Sequence, residues 1–172
     1  DIQPADRQRF AEQMAQTVAR LPREVAKLVV ALHAYDIDNP SDACWRRRYG
    51  SKSLRAAMTA DGRGVVSVFP RGFKHVDKLG RTIFHEIGHA LSMKAWGGAN
   101  DRRWQPWRDA VTADPAVPSG YGNGRDASRT LEDFADATAL YLLSASDPKQ
   151  RAAFRKQLPH RFKMLEALWQ RP

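Results

Sequence analysis

The sequence predicts a mainly helical α+β fold, with a small β-sheet placed just before a long helix. Three observations carry that expectation. Apolar residues recur at helical spacing through most of the chain, in pieces separated by Pro, Gly and short polar residues. Two short runs, 54–60 and 64–69, are joined by Asp61-Gly62-Arg63, which is a hairpin signal. Leu79, Ile83, Ile87 and Leu91 then form one stripe along a segment from Lys78 to Ala95. A chain of 172 residues suits a single domain, 1–172, with a substantial core.

The elements follow in order. Asp1 to Arg20 reads as an amphipathic helix, with Pro4 in its first turn and Phe10, Met14, Val18 and Leu21 on one face. Pro22 interrupts it and can start a short second helix. Leu28 to Tyr35 fits a buried strand or a helix; its shortness and β-branched content favour the strand. Asn39 to Ser53 is expected to be a polar loop. In the hairpin, Val66 and Val68 alternate with Val65, Ser67 and Phe69, and Pro70 ends the run. Its second strand is a candidate edge, to which an extended peptide could add as one more strand.

Asp77 is the expected N-cap of the long helix, and Gly97-Gly98 its expected stop. Gly88, inside it, costs about 1 kcal/mol of helix propensity against Ala and points to a close neighbour. Gly97 to Gly124 is irregular, with a short helix around Trp104 to Val111, and suits a lid or substrate wall. A helix over Leu131 to Leu143, beginning at Ser128 or Thr130, is apolar nearly all round and so buried. Asp147-Pro148 and Pro159 start two further helices that read as scaffold, the last with a stripe of Phe162, Leu165 and Trp169.

Chemistry concentrates on the long helix, at His85-Glu86-x-x-His89. Residues i and i+4 share a helix face about 6 Å apart, so both imidazoles can reach one Zn²⁺ at about 2.0–2.1 Å. Glu86 is turned away from the ion but lies near a water beside it. Zinc lowers such a water's pKa to roughly 7, and a neighbouring carboxylate can then take its proton. Glu132, Asp133 and Asp136 are carboxylates in the buried later helix, where each needs a partner or a metal. Glu132 and Asp136, at i and i+4, point the same way, whereas Asp133 is turned about 100° towards the helix N-terminus.

Composition narrows the partners. No apolar run is long enough to cross a bilayer. Cys44 is the only cysteine, which excludes an intrachain disulfide and suits a structural or free thiol. Asp1 in place of an initiator Met suggests a processed or truncated end. A net charge of +9 favours acidic partner surfaces or nucleic acid. Arg46-Arg47-Arg48 between Trp45 and Tyr49 is the sharpest basic cluster; such an arrangement can stack bases but more often is a solvated face.

His85-Glu86-Ile87-Gly88-His89, Tyr121-Gly122 and Glu132-Asp133-Phe134-Ala135-Asp136-Ala137 together resemble the catalytic domain of anthrax lethal factor and the bacterial Pro-Pro endopeptidases. The resemblance runs from about Lys74 to Leu165. It implies a zincin-type metalloprotease fold and a secreted or exported bacterial zinc endopeptidase acting on peptide or protein. It further implies His85, His89 and Glu132 as zinc ligands, Glu86 as general base and Tyr121 as oxyanion support. Asp136 becomes the carboxylate that orients a ligating histidine; it stands where the relatives have glutamate. On that assignment, loss of Glu132 weakens zinc binding severely, loss of Asp136 weakens it moderately, and loss of Asp133 leaves it nearly intact.

Two other readings compete. One is a basic nucleic-acid-binding protein or DNA-associated metalloprotease, although proteases of DNA–protein crosslinks use a histidine as third ligand and His160 is the only later one here. The peptide reading makes nucleic acid the less expected partner. The other, a metal-binding protein without catalysis, has nothing to support it while Glu86 is present.

Overall fold

The N-terminal stripe forms helix α1 (Pro4–Ala19) in a computed structural model that describes residues 3–19, 21, 23–50, 52–73, 79–118 and 127–169. Phe10 and Met14 are buried along α1, as helical spacing requires. One short helix, α2 (Arg23–Ala26), follows, with Val25 buried.

Strand β1 (Ala31–Ala34) comes next, so the extended reading of that run holds, but the expected burial does not. Its residues are mostly exposed, with Val30 at 70% just before it and Leu32 at 40% within it. Sheet order supplies the reason. Strand β3 (Val65–Val68) lies between β1, to which it is parallel, and β2 (Met58–Ala60), to which it is antiparallel. Thus β1 is an edge. The expectation that β3 is the edge is corrected by the same fact: both its sides are already paired, and no peptide can add there.

The hairpin forms as read. Gly64 N–H donates to Asp61 O at 3.0 Å and Asp61 N–H to Val65 O at 3.1 Å, while the Asp61 side chain accepts from the N–H groups of Arg63 and Val65. Gly64, at φ 84°, closes this turn, and a Cβ there would meet Leu28 O at 2.1 Å. Val66 and Val68 are buried and Val65 and Ser67 less so, which is the alternation of the sequence.

The polar loop expected over 39–53 is largely a helix, α3 (Asp42–Tyr49). Asn39 starts it by accepting from Ser41 N–H through its side chain and from Asp42 N–H through its carbonyl, each at 3.0 Å. Gly50, at φ 62°, ends it. The buried Asp42 carboxylate accepts from Ala56 N–H at 3.0 Å. With no apolar stripe, the helix depends on these polar ends, which periodicity does not register. Arg46 is tied down by a 3.2 Å bond to Leu54 O, and the Cys44 thiol is exposed. A last short helix, α4 (Pro70–Phe73), brings Phe73 against Phe10 at 4.4 Å between ring centroids.

Two compact units make up the chain, residues 1–83 and 84–172, with the boundary inside α5 (Leu79–Trp96). The expected N-cap of α5, Asp77, lies outside the described residues. Its stop is Gly97, at φ 73°, whose N–H returns to Met93 O. After a 3-10 turn (Arg102–Trp104) come α6 (Gln105–Ala113), α7 (Ala127–Leu143), α8 (Pro148–Gln157) and α9 (Pro159–Trp169). Asp147 caps α8 by accepting from the N–H groups of Lys149 and Gln150. Trp96, Trp104 and Trp107 surround Phe134 of α7 at 4.7–5.7 Å, mostly edge to face. Phe134, Ala135, Ala137 and Ala139 are wholly buried, as expected of a helix that is apolar nearly all round. Among the described residues no helix is long and apolar enough to cross a membrane.

Candidate metal centre

Helices α5 and α7 meet closely because glycine faces alanine. A Cβ added at Gly88 would lie 2.6 Å from Ala135 Cα, 3.2 Å from Thr138 Cβ and 3.3 Å from Ala135 Cβ. This is the close neighbour that Gly88 implied. His85 lies three residues before Gly88 on α5 and His89 directly after it, and across from them on α7 are Glu132 and Asp136.

His85, His89 and Glu132 converge so that one ligand atom from each lies within 4.8 Å of the others. The two Nε2 atoms are 3.1 Å apart. Glu132 Oε2 is 3.2 Å from His85 Nε2, and Oε1 is 3.7 Å from His89 Nε2. A tetrahedral ion with bonds of about 2.0–2.1 Å spaces its ligand atoms about 3.3 Å apart. The three observed separations bracket that value, so the residues fit a metal ion. Asp136 Oδ1 accepts from His85 Nδ1–H at 2.9 Å, which leaves Nε2 as the donor atom and fixes the ring. The aspartate therefore reaches the histidine despite its shorter side chain.

Electrostatics explain why these groups gather. Burial works against a charged His85, but hydrogen bonds to Asp136 and Glu132, with the charges of Glu86 and Glu132, outweigh it and raise the pKa to about 10. Burial likewise opposes an ionised Glu132, and His85 and His89 overcome it and hold the carboxyl well below its usual range. Three lone-pair donors at this spacing repel one another unless they share a positive charge, either a proton or a metal ion. Glu86 is 6% exposed on the same helix and close enough for its charge to act on His85. Tyr121 lies outside the described residues. Neither His33, on β1, nor His160, on α9, belongs to the cluster.

No family model, no curated protein and no solved structure matches the chain. The chemistry of the centre rests on its own donors.

Asp133 goes elsewhere, as the helix-face reading required, yet not to the helix N-terminus. Arg161 of α9 donates to it twice, Nε to Oδ1 and Nη2 to Oδ2, both at 2.9 Å, and Trp107 Nε1–H donates to Oδ1 at 3.0 Å. Arg161 Nη1 also donates to Asp114 Oδ2 and Ala116 O, each at 3.1 Å. Asp114 in turn accepts from the backbone N–H groups of His160 and Arg161, so the end of α6 caps the start of α9. Arg161 and Asp133 are both fully buried. Reading α9 as plain scaffold missed this network. A signal existed: Leu158, Arg161, Phe162, Leu165 and Trp169 share one helical phase, so an arginine sits in the apolar stripe.

Proposed function

We propose that the chain is a zinc-dependent endopeptidase of zincin type, in which His85, His89 and Glu132 hold the metal. The convergence of those three donors, with a buried Glu86 next to His85 in sequence, carries the reading. Two imidazoles and one carboxylate are a set that zinc hydrolases use with an open fourth position. Zinc, when bound, polarises a carbonyl and brings the pKa of water close to neutrality.

The chain's own residues do the rest. Asp136 holds the His85 ring by its Nδ1–H so that Nε2 faces the centre. Glu86 takes a proton from the attacking water and returns it to the departing amine nitrogen. Tyr121 O–H donates to the developing oxyanion, a role taken from the lethal factor resemblance. The same resemblance suggests a secreted or exported bacterial enzyme with a peptide or protein substrate, whose acidic surfaces the +9 charge would favour.

Cleavage of a peptide library with and without a chelator tests the proposal. Cleavage that stops with chelator, returns with zinc and is absent in Glu86→Gln is expected. Absence of any zinc uptake, or cleavage indifferent to the chelator, overturns it. The DNA-associated alternative has less support, because its relatives use a third histidine and His160 stands apart. Tight sequence-specific DNA binding at physiological salt would restore it.

A further inference from the structure

We propose that Arg161 is a positioning residue for the metal centre, acting through Asp133 to set the rotation of α7. This rests on reading the His85-His89-Glu132 cluster as a metal site. At 100° per residue, Glu132 and Asp136 lie about 40° apart around α7, and Asp133 lies about 100° from Glu132. The chain thus places the clamp one residue after a ligand but on another face. Ala135 packs against Gly88 on a third azimuth, and Phe134 sits among the tryptophans on a fourth. Outside the centre itself, where His85 and Asp136 share a hydrogen bond, only the contact at Asp133 is directional on both sides.

The Arg161 fork binds both oxygens of Asp133 at 2.9 Å and is itself held by Asp114 and Ala116 O. A planar fork on a carboxylate tolerates little rotation, unlike a methyl on a glycine. Asp114 anchors the assembly to α6 and α9 at once through two backbone N–H groups of α9. Side-chain tips lie about 5–6 Å from a helix axis, so a 10° turn of α7 moves the Glu132 carboxylate by about 1 Å. A metal site needs its ligands held to about 0.5 Å. The clamp supplies that tolerance from a face that never touches the metal, so loss of Asp133 weakens the site, contrary to the expectation from the helix face alone.

The test compares zinc affinity, by competition with a chromogenic chelator, in wild type, Arg161→Lys and the double variant Asp133→Leu/Arg161→Met. Arg161→Lys keeps the charge and loses the fork. The double variant removes both charges of the Arg161–Asp133 pair and leaves Asp114 with the backbone N–H groups of residues 160 and 161. Leu158→Ala, a buried residue outside the network, controls for loss of stability alone. The Co²⁺-substituted proteins report coordination geometry by their visible spectra. Both clamp variants are expected to melt cooperatively, to bind zinc about 10-fold more weakly and to show altered Co²⁺ spectra. Leu158→Ala is expected to melt earlier and keep wild-type affinity and spectrum. Zinc affinities within twofold of wild type in both clamp variants overturn the proposal and leave the metal reading intact. A wild type that takes up no zinc overturns the metal reading and the clamp with it.

Discussion

Replacing Gly88 by alanine separates two effects that act in opposite directions. Helix propensity alone favours alanine by about 1 kcal/mol. The contact does not. The new Cβ would stand 2.6 Å from Ala135 Cα, a backbone atom with no rotamer by which to move aside. Ordinary van der Waals contact begins at about 3.4 Å, so α5 and α7 must part by about 0.8 Å. Overpacking of this kind typically costs about 1–3 kcal/mol, and after the propensity gain about 0–2 kcal/mol of destabilisation remains. For a chain of this size that is a fall in Tm of roughly 0–8 °C.

The candidate metal centre feels the same movement more sharply. His85 and His89 are on one helix and Glu132 on the other, so the 3.2 Å and 3.7 Å contacts open towards 4.0 Å and beyond. Metal–ligand bonds tolerate about 0.2 Å. Gly88→Ala is therefore expected to fold and to bind zinc about 10–100-fold more weakly, by chelator competition alongside thermal melts. A variant with higher Tm and unchanged zinc affinity would refute the close-packing argument, since that is what propensity alone predicts.

Glu86→Gln is expected to retain one zinc and a wild-type Tm while losing turnover by about 100-fold or more, measured as peptide cleavage beside metal content. Glu132→Ala should empty the site in a zinc titration and Asp136→Ala should weaken it about 10–100-fold; the reverse ranking would show that the two carboxylates have been exchanged. The chelator-treated protein should be most stable between about pH 4.5 and 6.5. His85 has its pKa raised from 6.5 to about 10, so the stability it adds is complete below 6.5 and is lost as pH rises through 10. Glu132 has its pKa lowered from 4.5, so its share is present above 4.5 and is lost as pH falls through the lower folded value. A melting temperature flat from pH 6.5 to 10 would contradict this, and zinc uptake at pH 7 should release a proton, detectable by calorimetry in buffers of different ionisation enthalpy.

What lies within a turn or a hairpin was readable from the amino acids alone. The i, i+4 spacing puts His85 and His89 on one face, Gly97 stops the helix, Asp147 caps the next but two, and Asp61-Gly62-Arg63 marks a hairpin, although Gly64 is the glycine that closes it. Each depends on residues at most a few positions apart, whose geometry the backbone imposes. Gly88 likewise announced a close neighbour, although not which one. The small sheet and the mainly helical composition followed from the same local periods. Helix α3 escaped because it has polar ends and no stripe, and its anchor, Asp42 to Ala56, spans 14 residues.

Tertiary structure alone decided the order of the strands and the partners of the carboxylates. Parallel pairing of β1 with β3 leaves no local trace, since the strands need a long crossover and either side of β3 is open to it. Glu132, Asp133 and Asp136 have similar chemistry on one helix. What separates them is a histidine 51 residues away for Asp136 and an arginine 28 residues away for Asp133. The sequence by itself determined the donors that could meet a metal and the helices that carry them. Spacing separates Asp133 from Glu132 and Asp136, but packing set which of those faces meets the histidines and gave Asp133 its arginine, because helix rotation is set by contacts from other helices and not by any residue's own preference.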